Sequence, residues 1–144
     1  MVKRLGDGLM AVFAHPSDAV QGALEGSRAL EGLEVGGHSP RLRAGVHVGK
    51  PRRLGGDYFG VDVNVAARVA AAAGPGEVLV SDVAMQHLDG AALELKRRYR
   101  FKGKGAPKDL KVYAAEAAES PPRDEGDACP NRSSRECTDW VLGS

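Results

Sequence analysis

Cysteine is scarce in this chain: Cys129 and Cys137 are the only two, separated by seven residues in a polar stretch. That number and spacing exclude a disulfide framework and fit no Cys-x-x-Cys metal pair. Long apolar runs are absent as well. No stretch of about 18 uncharged apolar residues occurs, so the sequence offers no membrane-spanning helix. The N-terminal MVKRLGDGLMAVF lacks the continuous apolar segment of a signal peptide, and a cytoplasmic location is the expectation. Nor does one sign of charge prevail. With 20 Lys+Arg against 19 Asp+Glu the net charge is +1, so no global field draws the chain to nucleic acid or to an anionic membrane. Any anion binding has to be local.

What is present suits one soluble domain followed by a tail. A content of 42% hydrophobic and 27% charged residues in 144 is ordinary for a packed globular domain. The apolar runs Val2–Leu5 and Leu9–Phe13 flank Gly6-Asp7-Gly8, a hairpin signal that puts Asp7 at a tight turn. From Pro16 the apolar positions Val20, Ala23, Leu24, Leu30 and Leu33 follow a mostly helical period, weakened by Gly22, Gly26 and Gly32. After the Gly36–Pro40 loop, Leu42, Ala44, Val46 and Val48 alternate with Arg43, Gly45 and His47, which predicts a strand. A hairpin-like excursion through Lys50–Gly56 leads to Val61–Ala73, a helix stopped by Gly74-Pro75-Gly76. Glu77–Val80 reads as a buried strand, Ser81 as the cap of a short helix through Leu88, and Leu93–Phe101 and Leu110–Ala114 as further strands. These elements predict a domain over residues 1–115. Residues 116–144 cannot supply a core and read as a largely disordered tail, in which Trp140-Val141-Leu142 is the one patch suited to local docking. Asn131-Arg132-Ser133 matches a glycosylation sequon that has no use without secretion.

Chemistry concentrates in three strings: VKRLGDG, GGDYFGVDVNVAAR and FKGKG. In a helix over 61–73, Asn64 and Arg68 lie four apart on one face, beside an apolar face of Val61, Val65, Val69 and Ala72. Taken alone, Asn64 reads first as a helix-start residue and Arg68 as a surface arginine paired with a carboxylate. Lys102 and Lys104 sit on a glycine-softened segment suited to point-charge binding of phosphates. The alternatives there are a solvated basic turn or a backbone-binding patch with Lys96, Arg97, Arg98 and Arg100. A nucleic-acid role has little aromatic support beyond Tyr99 and Phe101, and the ribonucleoprotein motif is absent.

The order and spacing of the three strings resemble the catalytic core of class III nucleotidyl cyclases, the adenylate and guanylate cyclase family. The resemblance runs from Val2 to about Ala115. It implies an α+β, ferredoxin-like fold with an antiparallel-rich sheet, here lacking the family's first strand and its following helices. It also implies conversion of ATP to cyclic AMP and pyrophosphate with Mg²⁺ or Mn²⁺. On this sequence the family's roles fall to Asn64 for the ribose, Arg68 for the charge of the transition state, Asp7 for metal and Lys102 for the outer phosphates. Lys3 and Asp57 match the positions that read the base, and both are of the adenine-reading kind. A carboxylate accepts from the N6 amino group and an ammonium donates to N1, whereas guanine presents the reverse pattern.

GGDYF also looks like the signature of diguanylate cyclases, yet Tyr58 stands where that motif is acidic, and VNVAAR has no place in it. The family's sites lie between two head-to-tail domains, so a homodimer, or pairing with another cyclase domain, is implied. The first of the family's two metal-binding aspartates has no counterpart here, which predicts little activity from this chain by itself. The runner-up is a non-catalytic cyclase-like module that binds nucleotide or regulates a partner domain.

Overall fold

The computed structural model describes residues 2–89, 93–98, 109–117 and 138–143. Strands β1 (Val2–Leu5) and β2 (Gly8–Phe13) form the expected hairpin. Its loop is the Gly6-Asp7 pair, with Leu5 opposite Gly8 and Gly6 at φ +65, the left-handed conformation that two-residue hairpin loops require. Helix α1 (Pro16–Leu30) opens with Pro16 in its first turn and buries Ala19, Val20, Ala23 and Ser27. It runs straight through the two glycines that weaken the sequence pattern. Gly22 faces the Phe13 ring and Gly26 faces Leu42, each 3.5 Å from where a Cβ would stand. In this helix tertiary contact outweighs propensity.

Strand β3 (Ala44–Gly49) is followed by a small hairpin, β4 (Arg52–Leu54) and β5 (Asp57–Phe59), turned by Gly55 and Gly56 at φ +59 and +81. Helix α2 (Val61–Ala72), strand β6 (Val78–Ser81), the short helix α3 (Asp82–Gln86), β7 (Leu93–Arg98) and β8 (Val112–Ala117) follow. As expected, Ser81 caps α3: its hydroxyl accepts the Ala84 amide at 3.2 Å.

Among the described residues the main sheet has the order β1-β2-β9-β3-β6-β8-β7, where β9 is Thr138–Gly143. All its pairings are antiparallel except β3 with β6, which are joined by the crossover through α2. This is a mixed α+β architecture with an antiparallel-rich sheet, as the sequence predicts.

Both faces of the sheet are covered. Ala11, Ala44, Val46, Val78 and Val80 pack with Ala19, Val20 and Ala23 of α1 and Ala84 of α3. Met10 packs with Ala66 and Ala70 of α2, and Leu79 and Val112 pack with Val65 and Val69 of the same helix. Alternate residues of one strand therefore enter different layers. For this reason Ala44–Val48 is buried at every position, including Gly45 and His47, although the sequence alternation alone suggests one exposed face.

The expectation of a disordered tail is corrected at both ends of 116–144. Strand β8 extends to Ala117, and Thr138–Gly143 forms β9 between β2 and β3. β2 and β3 each pair antiparallel with β9, so they run parallel to one another with a row of backbone donors and acceptors facing the space between them. A strand of six residues satisfies both rows at once. Composition could not reveal this, because those rows belong to distant segments. Residues 118–137, with Cys129, Cys137 and the Asn131 sequon, lie outside the described residues.

Candidate active site

Lys3 lies on β1 directly opposite Met10, so the two side chains share a sheet face. Met10 packs against Ala66 and Ala70, which puts Lys3 on the α2 side of the sheet. The β4–β5 hairpin brings Asp57 there too. Its carboxylate accepts a hydrogen bond from the Lys3 ammonium, 54 residues away in sequence, and a second from the Tyr58 amide at 2.8 Å. The Lys3 hydrogen bond first, and the Tyr58 amide second, hold the Asp57 carboxyl below its ordinary 3.8. The two residues singled out as base readers thus form one unit, an acceptor and a donor side by side. On the same hairpin, Arg53 lies over the Tyr58 ring at 6.0 Å.

Helix α2 supplies the next groups. Val65, Ala66, Val69 and Ala70 are buried, while Asn64 and Arg68 are exposed on the opposite side. Among the described residues neither side chain is held by a hydrogen bond or ion pair, so the surface-pair reading of Arg68 finds no carboxylate.

The helix lies very close to β3. A Cβ on Gly45 would stand 2.2 Å from the Ala70 nitrogen, and one on Gly49 would stand 2.3 Å from the Asp62 Cγ. Only glycine admits such an approach. At the helix start, Asp62 accepts the Lys50 amide through Oδ2 at 3.0 Å and directs Oδ1 at His47 Nε2, 3.6 Å away. His47 is 4% exposed, and its Nδ1 lies 2.8 Å from the Ser81 hydroxyl. Burial pushes its pKa below the ordinary 6.5, with Asp62 and then Asp82 acting in the opposite direction. Sequence reasoning missed His47, Asp62 and Ser81 as a group. Asp62 stands two residues before Asn64, but nothing local announces its partner.

Asp7 is exposed on the β1–β2 turn. Among the described residues no three His, Cys, Asp or Glu side chains gather to hold an ion. A lone exposed carboxylate does fit Mg²⁺ that arrives with nucleotide phosphates, since this ion takes few protein ligands. Lys102, the candidate for the outer phosphates, lies outside the described residues, as does Lys104. No helix among the described residues is long and apolar enough to cross a membrane.

An α+β domain places a paired acid and base, Lys3 and Asp57, on the same side of its sheet as the helix that carries Asn64 and Arg68. The chain belongs to the adenylate and guanylate cyclase catalytic domain family, whose model matches residues 1–117. It is 39% identical over 90 residues to the pH-sensitive adenylate cyclase MT1302 of Mycobacterium tuberculosis, covering 62% of this chain and 22% of that protein. An uncharacterized M. tuberculosis protein, Rv2212, is 42% identical over 86 residues, 56% of this chain and 21% of its own length. The putative adenylate cyclase 3 of Rhizobium meliloti is 36% identical over 91 residues, 61% of this chain and 16% of its own length. The matched region thus spans about a fifth of these curated relatives.

Proposed function

We propose that this chain is an adenylate-cyclase-type domain that takes part in converting ATP to cyclic AMP and pyrophosphate. The observation that carries the proposal is the Lys3–Asp57 pair on the α2 side of the sheet. Asp57 accepts from the adenine N6 amino group while Lys3 donates to N1, each exchanging its present partner for the base. Asn64 orients the ribose. The ribose 3′-oxygen attacks the α-phosphorus in line, its proton leaves to solvent, and the bond from that phosphorus to the β-phosphate bridging oxygen breaks. Arg68 offsets the extra negative charge on the five-coordinate phosphorus. Lys102 neutralises the outer phosphates, and Asp7 would hold Mg²⁺ or Mn²⁺, which supplies charge neutralisation for the pyrophosphate leaving group.

Pairing with a second domain, a copy of this chain or another cyclase domain, completes the site. What supports pairing is the exposed apolar surface beside it: Leu54, Phe59 and Val61 are 73%, 52% and 73% exposed. Names of relatives agree with an adenylate activity, since two of them carry it.

The experiment mixes this chain with a complete cyclase domain whose own Asn and Arg equivalents are replaced. Cyclic AMP should appear in the mixture, and ATP should be preferred over GTP by about ten- to a hundredfold, because guanine presents Lys3 and Asp57 with the reverse donor and acceptor pattern and leaves them unpaired. No product in a demonstrated heterodimer overturns the proposal. Equal use of GTP removes the base-reading roles of Lys3 and Asp57.

A further inference from the structure

Helix α2 carries Asn64 and Arg68, yet it begins without a side-chain cap. Gly60 occupies the cap position and makes no such bond. What fixes the helix start is Asp62, in its first turn. One carboxylate oxygen accepts the Lys50 amide at the end of β3, and the other faces His47 from 3.6 Å. Gly49 leaves the room for this, because a Cβ there would stand 2.3 to 2.5 Å from three Asp62 side-chain atoms. Behind His47, the Ser81 hydroxyl accepts the Ala84 amide and is hydrogen-bonded to Nδ1, 2.8 Å away. The other ring nitrogen, Nε2, faces Asp62. The chain Ala84–Ser81–His47–Asp62–Lys50 therefore links the cap of α3, the centre of β3 and the first turn of α2.

We propose that His47, acting through Asp62, is a positioning residue that fixes the rotation of α2 and with it the direction of Asn64 and Arg68. The proposal rests on the cyclase reading above for its kinetic consequence, but its structural content is independent of it. One residue of helix turns the side chains by about 100°, so even a small rotation swings a long arginine out of line. Misplacement by about 1 Å is enough to cost about a hundredfold in rate.

Asp62→Asn is the first variant, because it keeps the shape and the contact to Lys50 but removes the charge facing His47. In the mixed assembly it should lower kcat by about ten- to a hundredfold with KM for ATP altered less than about twofold. His47→Gln should do the same, and the double variant should be no worse than either single one, as members of one chain are not additive. NMR of the chain without nucleotide gives a second readout. In Asp62→Asn the His47 ring should titrate at lower pH than in the parent, the amide of Asn64 should exchange faster, and the Arg68 Nε resonance should shift.

Unchanged kcat in Asp62→Asn, where Arg68→Ala is impaired, overturns the positioning role and leaves the cyclase reading intact. If no assembly makes cyclic AMP, the cyclase reading fails and the NMR decides alone. Parent-like His47 titration and Asn64 exchange in Asp62→Asn would then overturn the inference, and the expected changes would uphold it.

Discussion

Arg68 is exposed, four residues after Asn64, and bound by no carboxylate among the described residues. Among the described residues its charge is not neutralised by a partner, so under the proposed function it is available to the five-coordinate α-phosphate. Replacing it by alanine should cut kcat by about 10²- to 10³-fold in an active assembly with little change in KM. Steady-state kinetics against ATP check this, and a variant that loses mainly substrate affinity would point to ground-state binding instead. Lys3 and Asp57 differ in kind. They neutralise one another at rest, so under the proposed function an incoming base would replace an existing pair and add no new charge to the site. That favours discrimination over raw affinity.

Helix α2 is the element on which the site depends, and its closeness to β3 is set by two glycines. At Gly45 a Cβ would lie 2.2 Å from the Ala70 nitrogen and 2.6 Å from its Cα, both backbone atoms with no rotamer to move. Gly45→Ala should therefore push the helix off the sheet and destabilise the domain by about 1–3 kcal/mol, as overpacking in a dense core does. Chemical denaturation midpoints measure it, and a loss under about 0.5 kcal/mol would mean that α2 yields more readily than the contact implies. Gly22 and Gly26 of α1 behave differently, since their nearest neighbours are side-chain atoms of Phe13 and Leu42 at 3.5 Å. The same residue type thus marks a hard contact in one helix and an ordinary one in the other.

At the scale of the whole molecule, stability should depend on pH through His47. Its pKa is lowered on folding by burial, against the pull of Asp62 on α2 and Asp82 on α3. A histidine with a lowered folded pKa binds more protons unfolded than folded, so its contribution is full above the unfolded value of 6.5 and is lost as pH falls below it. Melting temperature should fall between about pH 7.5 and 5.5, and the fall should be smaller in His47→Gln. An identical slope in the variant would assign the effect elsewhere. Asp57 has the same sign in a separate range: its carboxyl is held below 3.8 by Lys3 and then the Tyr58 amide, so it contributes above 3.8 and loses that contribution in acid. The His47 loss sets in at higher pH than the Asp57 loss, and a pH series on the parent and His47→Gln separates them.

Local physics made much of this protein legible from the residues in order. The helical period puts Asn64 and Arg68 on one face whatever the surroundings, and Gly74-Pro75-Gly76 ends α2 because neither residue type continues a helix. The β1–β2 hairpin and the cap of α3 by Ser81 are equally short-range. The family resemblance brings Lys3 and Asp57 together as candidates, but nothing in their strings announces their direct contact. That contact depends on the register of β1 with β2 and on where the β4–β5 hairpin folds over, and a separation of 54 residues carries no periodic signal. Burial of His47 came only with α2 covering the second face of β3, and β9 only with a gap between strands joined through α1. Periodicity is a property of the neighbouring backbone, whereas which faces are covered and which strand edges find partners is decided when distant segments meet.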